Sequence, residues 1–407
     1  MIAEPQPHPG IARREFVAFV AAIMAVNALG TDLMLPALSA IGEELDIASA
    51  NAQQWIVTSY LFGFGLGQLA YGPLADRFGR KPVLLATLAG FVAASVFAAS
   101  SQTFAALIGA RVLMGLMSAS TRVLSVAIVR DSYSGRRMAR ISSMATMVFF
   151  LVPILAPTLG AGLLELGPWR FIFYALAAFA AAVFAWVFTR LPETLPVERR
   201  RRISFAALSE AYKLTLSNRY SIGYALAGSM TFGGIIAFVS SAEQVFTDTF
   251  GAGERFTLLF ALCAFFMGLA AFFNSRLVER LGTRLISQSA LIALIGLSLA
   301  HIAVAVAGAE TLWSFTAFQA LSMTCIGLCG ANFGAMAMEP VGHVAGTASS
   351  VQGFVTGVGA VAVGSAIGQA YDGTTYPLAV GYLVIGLGAL GIVYVVEGGR
   401  LFQARMA

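Results

Sequence analysis

"YGPLADRFGRKP", Tyr71 to Pro82, packs four charges into Asp76–Lys81 and two glycines into a short joint between two apolar runs. The stretch recurs. "GPLADRFGRK" from position 72 aligns with "SRLVERLGTR" from position 275, an offset of 203 in a chain of 407 residues. Leu74, Asp76, Arg77, Gly79 and Lys81 face Leu277, Glu279, Arg280, Gly282 and Arg284, so leucine, acid, arginine, glycine and base return in register. A polar joint repeated at half the chain length predicts a duplicated unit.

Around these joints 58% of the residues are hydrophobic and 11% are charged. A soluble chain needs roughly a quarter of its residues charged, so most of this surface is expected to face lipid. The 42 glycines fit close helix packing in a bilayer. Cys263, Cys325 and Cys329 all lie in apolar runs and read as packing residues, neither a disulfide framework nor a metal site. Apolar runs of about 20 residues fall near 15–41, 51–71, 82–101, 104–127, 139–164 and 169–190, then near 220–241, 256–275, 285–307, 311–335, 345–370 and 377–396. The expectation is an all-α integral membrane protein of twelve spans. It comprises a first half over 1–191, a linker over 192–218 and a second half over 219–407.

With the amino terminus in the cytoplasm, 21 of the 25 Lys and Arg fall on that side, and both termini are expected there. The exceptions are Arg170, Arg255 and, inside span 4, Arg111 and Arg122. The run Arg199–Arg202 in the central linker reads as a topology determinant at anionic headgroups, so the expected partner is the lipid bilayer and not nucleic acid.

"GPLADRFGRK" resembles the signature loop between spans 2 and 3 of the major facilitator superfamily. "TDLMLPAL" at 31–38, "IVRDSY" at 128–133 and "LVPILAPTLGAGL" at 151–163 resemble its bicyclomycin and chloramphenicol resistance branch of proton-coupled drug exporters. The resemblance implies the major facilitator fold, two pseudo-symmetric six-helix halves and placement in the inner membrane. It also implies a small-molecule substrate, a proton as coupling ion, no cofactor, and a monomer able to transport alone. The family's antiporter motif, a Gly-Pro-x-x-Gly-Gly core, appears as Ala156, Pro157 and Gly160 followed by Ala161, with Pro153 one turn earlier. At Arg111 the family shows a glutamine three residues on, where this chain has Met114.

Read from their own chemistry, Gly72 and Gly79 permit a tight turn. Asp76, with Arg77 and Arg80, suits a gating latch that changes partners as the halves rock. Asp32 is the acid set well inside an apolar run, and Pro36 leaves its carbonyl without a helical partner. Counting about 1.5 Å per residue, Asp32 and Arg111 lie roughly 14 and 10 Å from the outer face, close enough to meet. They are the expected proton-coupling pair, with Asn27 and Gln319 joining them in lining a substrate cavity. Arg122 is equally suited to function or to snorkelling. His301, the sole histidine within a span, reads first as a helix contact and second as a proton relay.

The expected function is alternating-access export of small hydrophobic or amphipathic compounds, drugs included, in exchange for protons. The alternative is a sugar or amino-acid permease on the same fold. No nucleophile, base and orienter recur together, so enzymatic activity is not expected.

Overall fold

A chain crossing hydrocarbon must satisfy its own backbone, and this one does so with helices. The computed structural model describes residues 11–47, 49–133, 135–200 and 205–403; His8, Arg201, Arg202 and Arg405 lie outside the described residues. The chain packs as two compact units, one of residues 1–45 and 59–208, the other of residues 46–58 and 209–407.

The helices of the first part of the chain are α1 (Arg13–Asp32), α2 (Leu38–Glu44), α3 (Trp55–Phe78), α4 (Arg80–Ala99), α5 (Phe104–Ser132), α6 (Gly135–Leu166), α7 (Arg170–Arg190) and the short α8 (Phe205–Ser217). Those of the second part are α9 (Arg219–Gln244), α10 (Phe256–Leu281), α11 (Thr283–Val306), α12 (Leu312–Met338), α13 (Ala345–Gln369) and α14 (Tyr376–Val396). Local chemistry sets several starts. Thr103 accepts the Ala106 N–H ahead of α5, Asn218 accepts those of Tyr220 and Ser221, and Thr311 with Ser314 forms a capping box on α12.

Helix packing repeats along the chain. In the first unit α1 packs on α5, α6 and α7, and α4 packs on α5 and α7. In the second, α9 packs on α12, α13 and α14, and α11 on α12 and α14. Helix for helix, these are the same five pairings. Side chains more than half exposed include Leu159, Phe188, Leu258, Leu299 and Val395. Such a surface suits lipid.

Among the described residues ten helical segments are long and apolar enough to cross a bilayer. At the expected second and fifth spans, α3 runs 24 residues, diluted by Thr58, Ser59, Gln68 and its glycines, and α6 runs 32, with its apolar stretch at Leu151–Leu166.

Three local expectations change. The polar joint is barely a loop: α3 continues through Gly72, Pro73, Asp76 and Arg77, and Gly79 alone separates it from α4. Gly72 therefore makes no turn. The expected linker contains a helix, α8. Finally, α9 extends past the expected end of span 7 through Gln244 into a π turn over Val245–Thr249, which brings Glu243 into the buried interior.

Candidate functional site

α1 ends at Asp32. With no N–H on Pro36 the helix gives way to a short 3-10 turn at Leu35–Ala37 before α2 begins. The break carries the acid: Asp32 is 6% exposed, and Arg111 on α5 is wholly buried. Arg111 Nη1 donates at 2.8 Å to the carbonyl of Gly30, two residues before Asp32. The guanidinium lies over the Tyr60 ring of α3, 4.4 Å from its centroid, with Phe173 of α7 at 6.0 Å.

Tyr60 is itself held. Its hydroxyl donates toward the Asn27 carbonyl oxygen and Oδ1, both at 3.1 Å, and lies 2.8 Å from Ser118 Oγ. Ser118 in turn donates to Asn27 Oδ1 at 3.2 Å. Such nearness requires small residues. A Cβ at Gly30 would stand 2.6 Å from the Tyr60 hydroxyl, and one at Gly115 would overlap the Tyr60 carbonyl oxygen.

The antiporter-like segment meets the same place. Pro153 and Pro157 lie inside α6, Ala156 is buried, and a Cβ on Gly160 would overlap the carbonyl oxygen of Leu33, the residue after Asp32. Two residues on, Gly162 faces open space and helps line an apolar groove of about 390 Å³ with Leu33, Leu159 and Leu176. Asp32, Arg111, Asn27 and the segment 153–160 are thus brought together in one unit. Gln319 lies in the second unit, fully buried, where its Oε1 accepts from the Tyr382 hydroxyl at 2.9 Å. Arg122 is exposed.

The gating residues form a second cluster. Arg80, 4% exposed, donates from Nη1 to Asp76 at 2.6 Å and from Nε to Asp131 at 2.9 Å. Glu193, following α7, accepts the backbone N–H groups of Arg80 at 2.9 Å and Lys81 at 3.3 Å, occupying the orphan donors at the start of α4. Gly79 turns at φ +101°, and its twin Gly282 at φ +78°. Arg77 is exposed and lies over Phe78. In the second unit Arg284 reaches Glu397 at 2.9 Å and Glu339 at 3.7 Å, and the Tyr224 hydroxyl also donates to Glu397.

Sequence reasoning missed Tyr60, Ser118, Asp131 and Glu193. Asp131 stood in the quoted stretch "IVRDSY" and Glu193 just after the sixth apolar run, so for both a carboxylate just past a span was the available signal. His301 donates to or accepts from Glu310 at 2.6 Å and stacks on Phe318. Asn332 bonds Asn274 at 2.8 Å, and Gln352 bonds Ser221 at 2.7 Å, both inside the second unit.

Ten apolar helical segments among the described residues, with a buried acid and arginine at a broken helix, fit a multi-pass membrane protein with polar groups set inside its spans. The chain belongs to the Major Facilitator Superfamily, whose family model matches residues 20–364. It is 30% identical over 370 residues to a bicyclomycin resistance protein homolog of Haemophilus influenzae, covering 89% of this chain and 91% of that one. It is 31% identical over 385 residues to a chloramphenicol resistance protein of Pseudomonas aeruginosa, covering 91% and 88%. Among solved structures the xylose transporter of E. coli shares the fold, with a TM-score of 0.73 at 12% identity over 96% of this chain and 99% of that one. The branch resemblance read from the first half therefore extends along the chain.

Proposed function

We propose that this protein exports small hydrophobic or amphipathic compounds, drugs among them, in exchange for protons by alternating access. The observation that carries the reading is the Asp32–Arg111 pair, buried at the break of α1 and flanked by the proline–glycine segment of α6. An ionised acid there is costly, so a proton can replace the arginine as its partner. A kinked helix with small residues against that break gives the transition somewhere to slide. Relatives with resistance names over most of the chain support export over uptake.

In this reading twelve helices span the bacterial inner membrane, α3 and α6 joining the ten most apolar segments, with both termini cytoplasmic. Asp32 and Arg111 couple the proton, Asn27 beside them contributes to substrate binding, and the cluster at Asp76, Arg77, Gly79 and Arg80 gates the cytoplasmic side. The coupling ion is the proton, no cofactor is needed, and the monomer is the working unit.

The test is a drug panel in a pump-deficient host, followed by everted vesicles with an imposed pH gradient. Uncoupler-sensitive resistance with drug accumulation in the vesicles is expected. Sodium-dependent transport, or accumulation in the opposite direction, would overturn the reading.

A further inference from the structure

The 3-10 turn Ala50–Gln54, just ahead of α3, belongs to the second unit, although the chain before residue 46 and after residue 58 belongs to the first. It lies against the carboxyl end of α13, where the last carbonyls of a helix have no partners within the helix. Two side-chain amides take them up. Asn51 donates from Nδ2 to the carbonyls of Gln369 at 3.1 Å and Tyr371 at 2.8 Å, and Gln369 returns a bond from Nε2 to the Asn51 carbonyl at 2.8 Å. Gln54, 1% exposed, donates from Nε2 to the Gly368 carbonyl at 3.0 Å and to Oε1 of Gln244, the last residue of α9, at 2.7 Å. The carbonyl of Gly368 can only accept, which fixes the Gln54 amide the right way round.

We propose that Asn51 and Gln54 form a releasable clasp on the carboxyl end of α13, closed in this structure, whose opening admits water from the outer side to the polar interior of the second unit. The outer placement rests on the orientation and alternating access of the proposed function. The clasp rests on the five bonds.

Three features make these bonds a closure that can open. All five join neutral groups, and a neutral bond gains little net over the water that replaces it. Closure also seals Gln54 Oε1 and Gln244 Nε2 away from solvent with no hydrogen bond among the described residues, so part of the gain is given back. Opening hydrates both atoms. Finally, α3 begins at Trp55 in the second unit and continues through residues 59–78 in the first, so a shift of that helix pulls on the turn directly.

The receiving side is firm by comparison. Thr249, in the π turn after α9, lies 2.9 Å from the Tyr371 hydroxyl and donates to the Gly373 carbonyl at 3.0 Å, which ties the end of α9 to the turn after α13. The fit is close. A Cβ on Gly368 would stand 2.3 Å from Gln54 Oε1.

The test reads how often the clasp opens, through a thiol placed behind it. Ser365 lies on α13 one turn before Gly368, is 8% exposed, and its Oγ has no hydrogen-bond partner among the described residues, so Ser365→Cys costs no bond. Proteins carrying it are labelled with an impermeant maleimide in intact cells and in everted vesicles, and the matching proteins that keep Ser365 give the small background from the buried native cysteines. Asn51→Ala and Gln54→Leu should each speed labelling in intact cells by about tenfold, the scale of two lost hydrogen bonds. Gly368→Ala removes no polar group and should act in the same direction by displacing Gln54, so the test stands even where Gln54→Leu does not fold. Gln102→Ala, which removes an exposed amide bonded to the Ser100 carbonyl between α4 and α5, should leave the rate at that of wild type. Membrane yield and thermal melts verify that each variant is folded. Equal rates in wild type and the three clasp variants would overturn the clasp, and acceleration confined to everted vesicles would overturn its outer placement. Absence of proton-driven export is a separate result, which would remove the transporter reading without changing these labelling rates.

Discussion

Asp32 and Arg111 allow two readings, a fixed structural pairing or an exchanged-proton site, and one substitution separates them. If the pair served stability alone, Asp32→Asn would lower expression first, because it leaves a buried guanidinium without an anion. In the exchange reading Asp32→Asn yields a folded, inserted protein that still binds substrate but no longer responds to a pH gradient. Vesicle counterflow with and without the gradient separates the two outcomes. Arg111→Lys should also fail, by at least about tenfold in exchange rate at normal protein level. A compact ammonium cannot meet a ring face and the Gly30 carbonyl as a flat guanidinium does. The acid and the arginine were legible in the sequence because charge inside an apolar run is rare. Tyr60 and Ser118 were not, since aromatic and hydroxyl side chains are ordinary in a span. Their meaning lies in partners 33 and 91 positions from Asn27.

At the scale of the element, α6 presents two glycines with opposite demands. Gly160 meets backbone at Leu33, whereas Gly162 meets nothing within 4 Å. Gly160→Val should cost about 1–3 kcal/mol by overpacking and lower both Tm and transport, while Gly162→Val should leave Tm unchanged; thermal melts of the two purified variants check this. The start of α4 offers a second test. Glu193→Ala removes the acceptor for the Arg80 and Lys81 amides and should cost about 1 kcal/mol, read as faster hydrogen exchange over 80–83 without change at the start of α11. Hydropathy made the helices legible but not their ends. Nothing in "YGPLADRFGRKP" marks Gly72 as helical, because glycine, proline and four charges all suggest a turn. The continuation of α9 past Ser241 depends on tertiary burial of Glu243 and Gln244, which periodicity does not encode.

For the whole molecule, the orientation inferred from Lys and Arg can be tested with single cysteines, since the native Cys263, Cys325 and Cys329 are all buried. Glu254→Cys, exposed between α9 and α10, should react with an impermeant maleimide added to intact cells, and Glu198→Cys, exposed after α7, should react only after permeabilisation. The reverse pattern would invert the topology. The repeat was legible because its joint kept its spacing, and five helix pairings of the first unit recur in the second. The two joints nevertheless differ in what fastens them. Both keep a glycine at positive φ, but one is bolted by Arg80 between Asp76 and Asp131, with Glu193 on the backbone, and the other by Arg284 on Glu397 and Glu339. The two joints thus share a torsion angle and differ in the wiring around it. The two joints share a backbone shape but are held by different ion pairs, so a charge reversal at Arg80 should loosen the first and leave the second as it is.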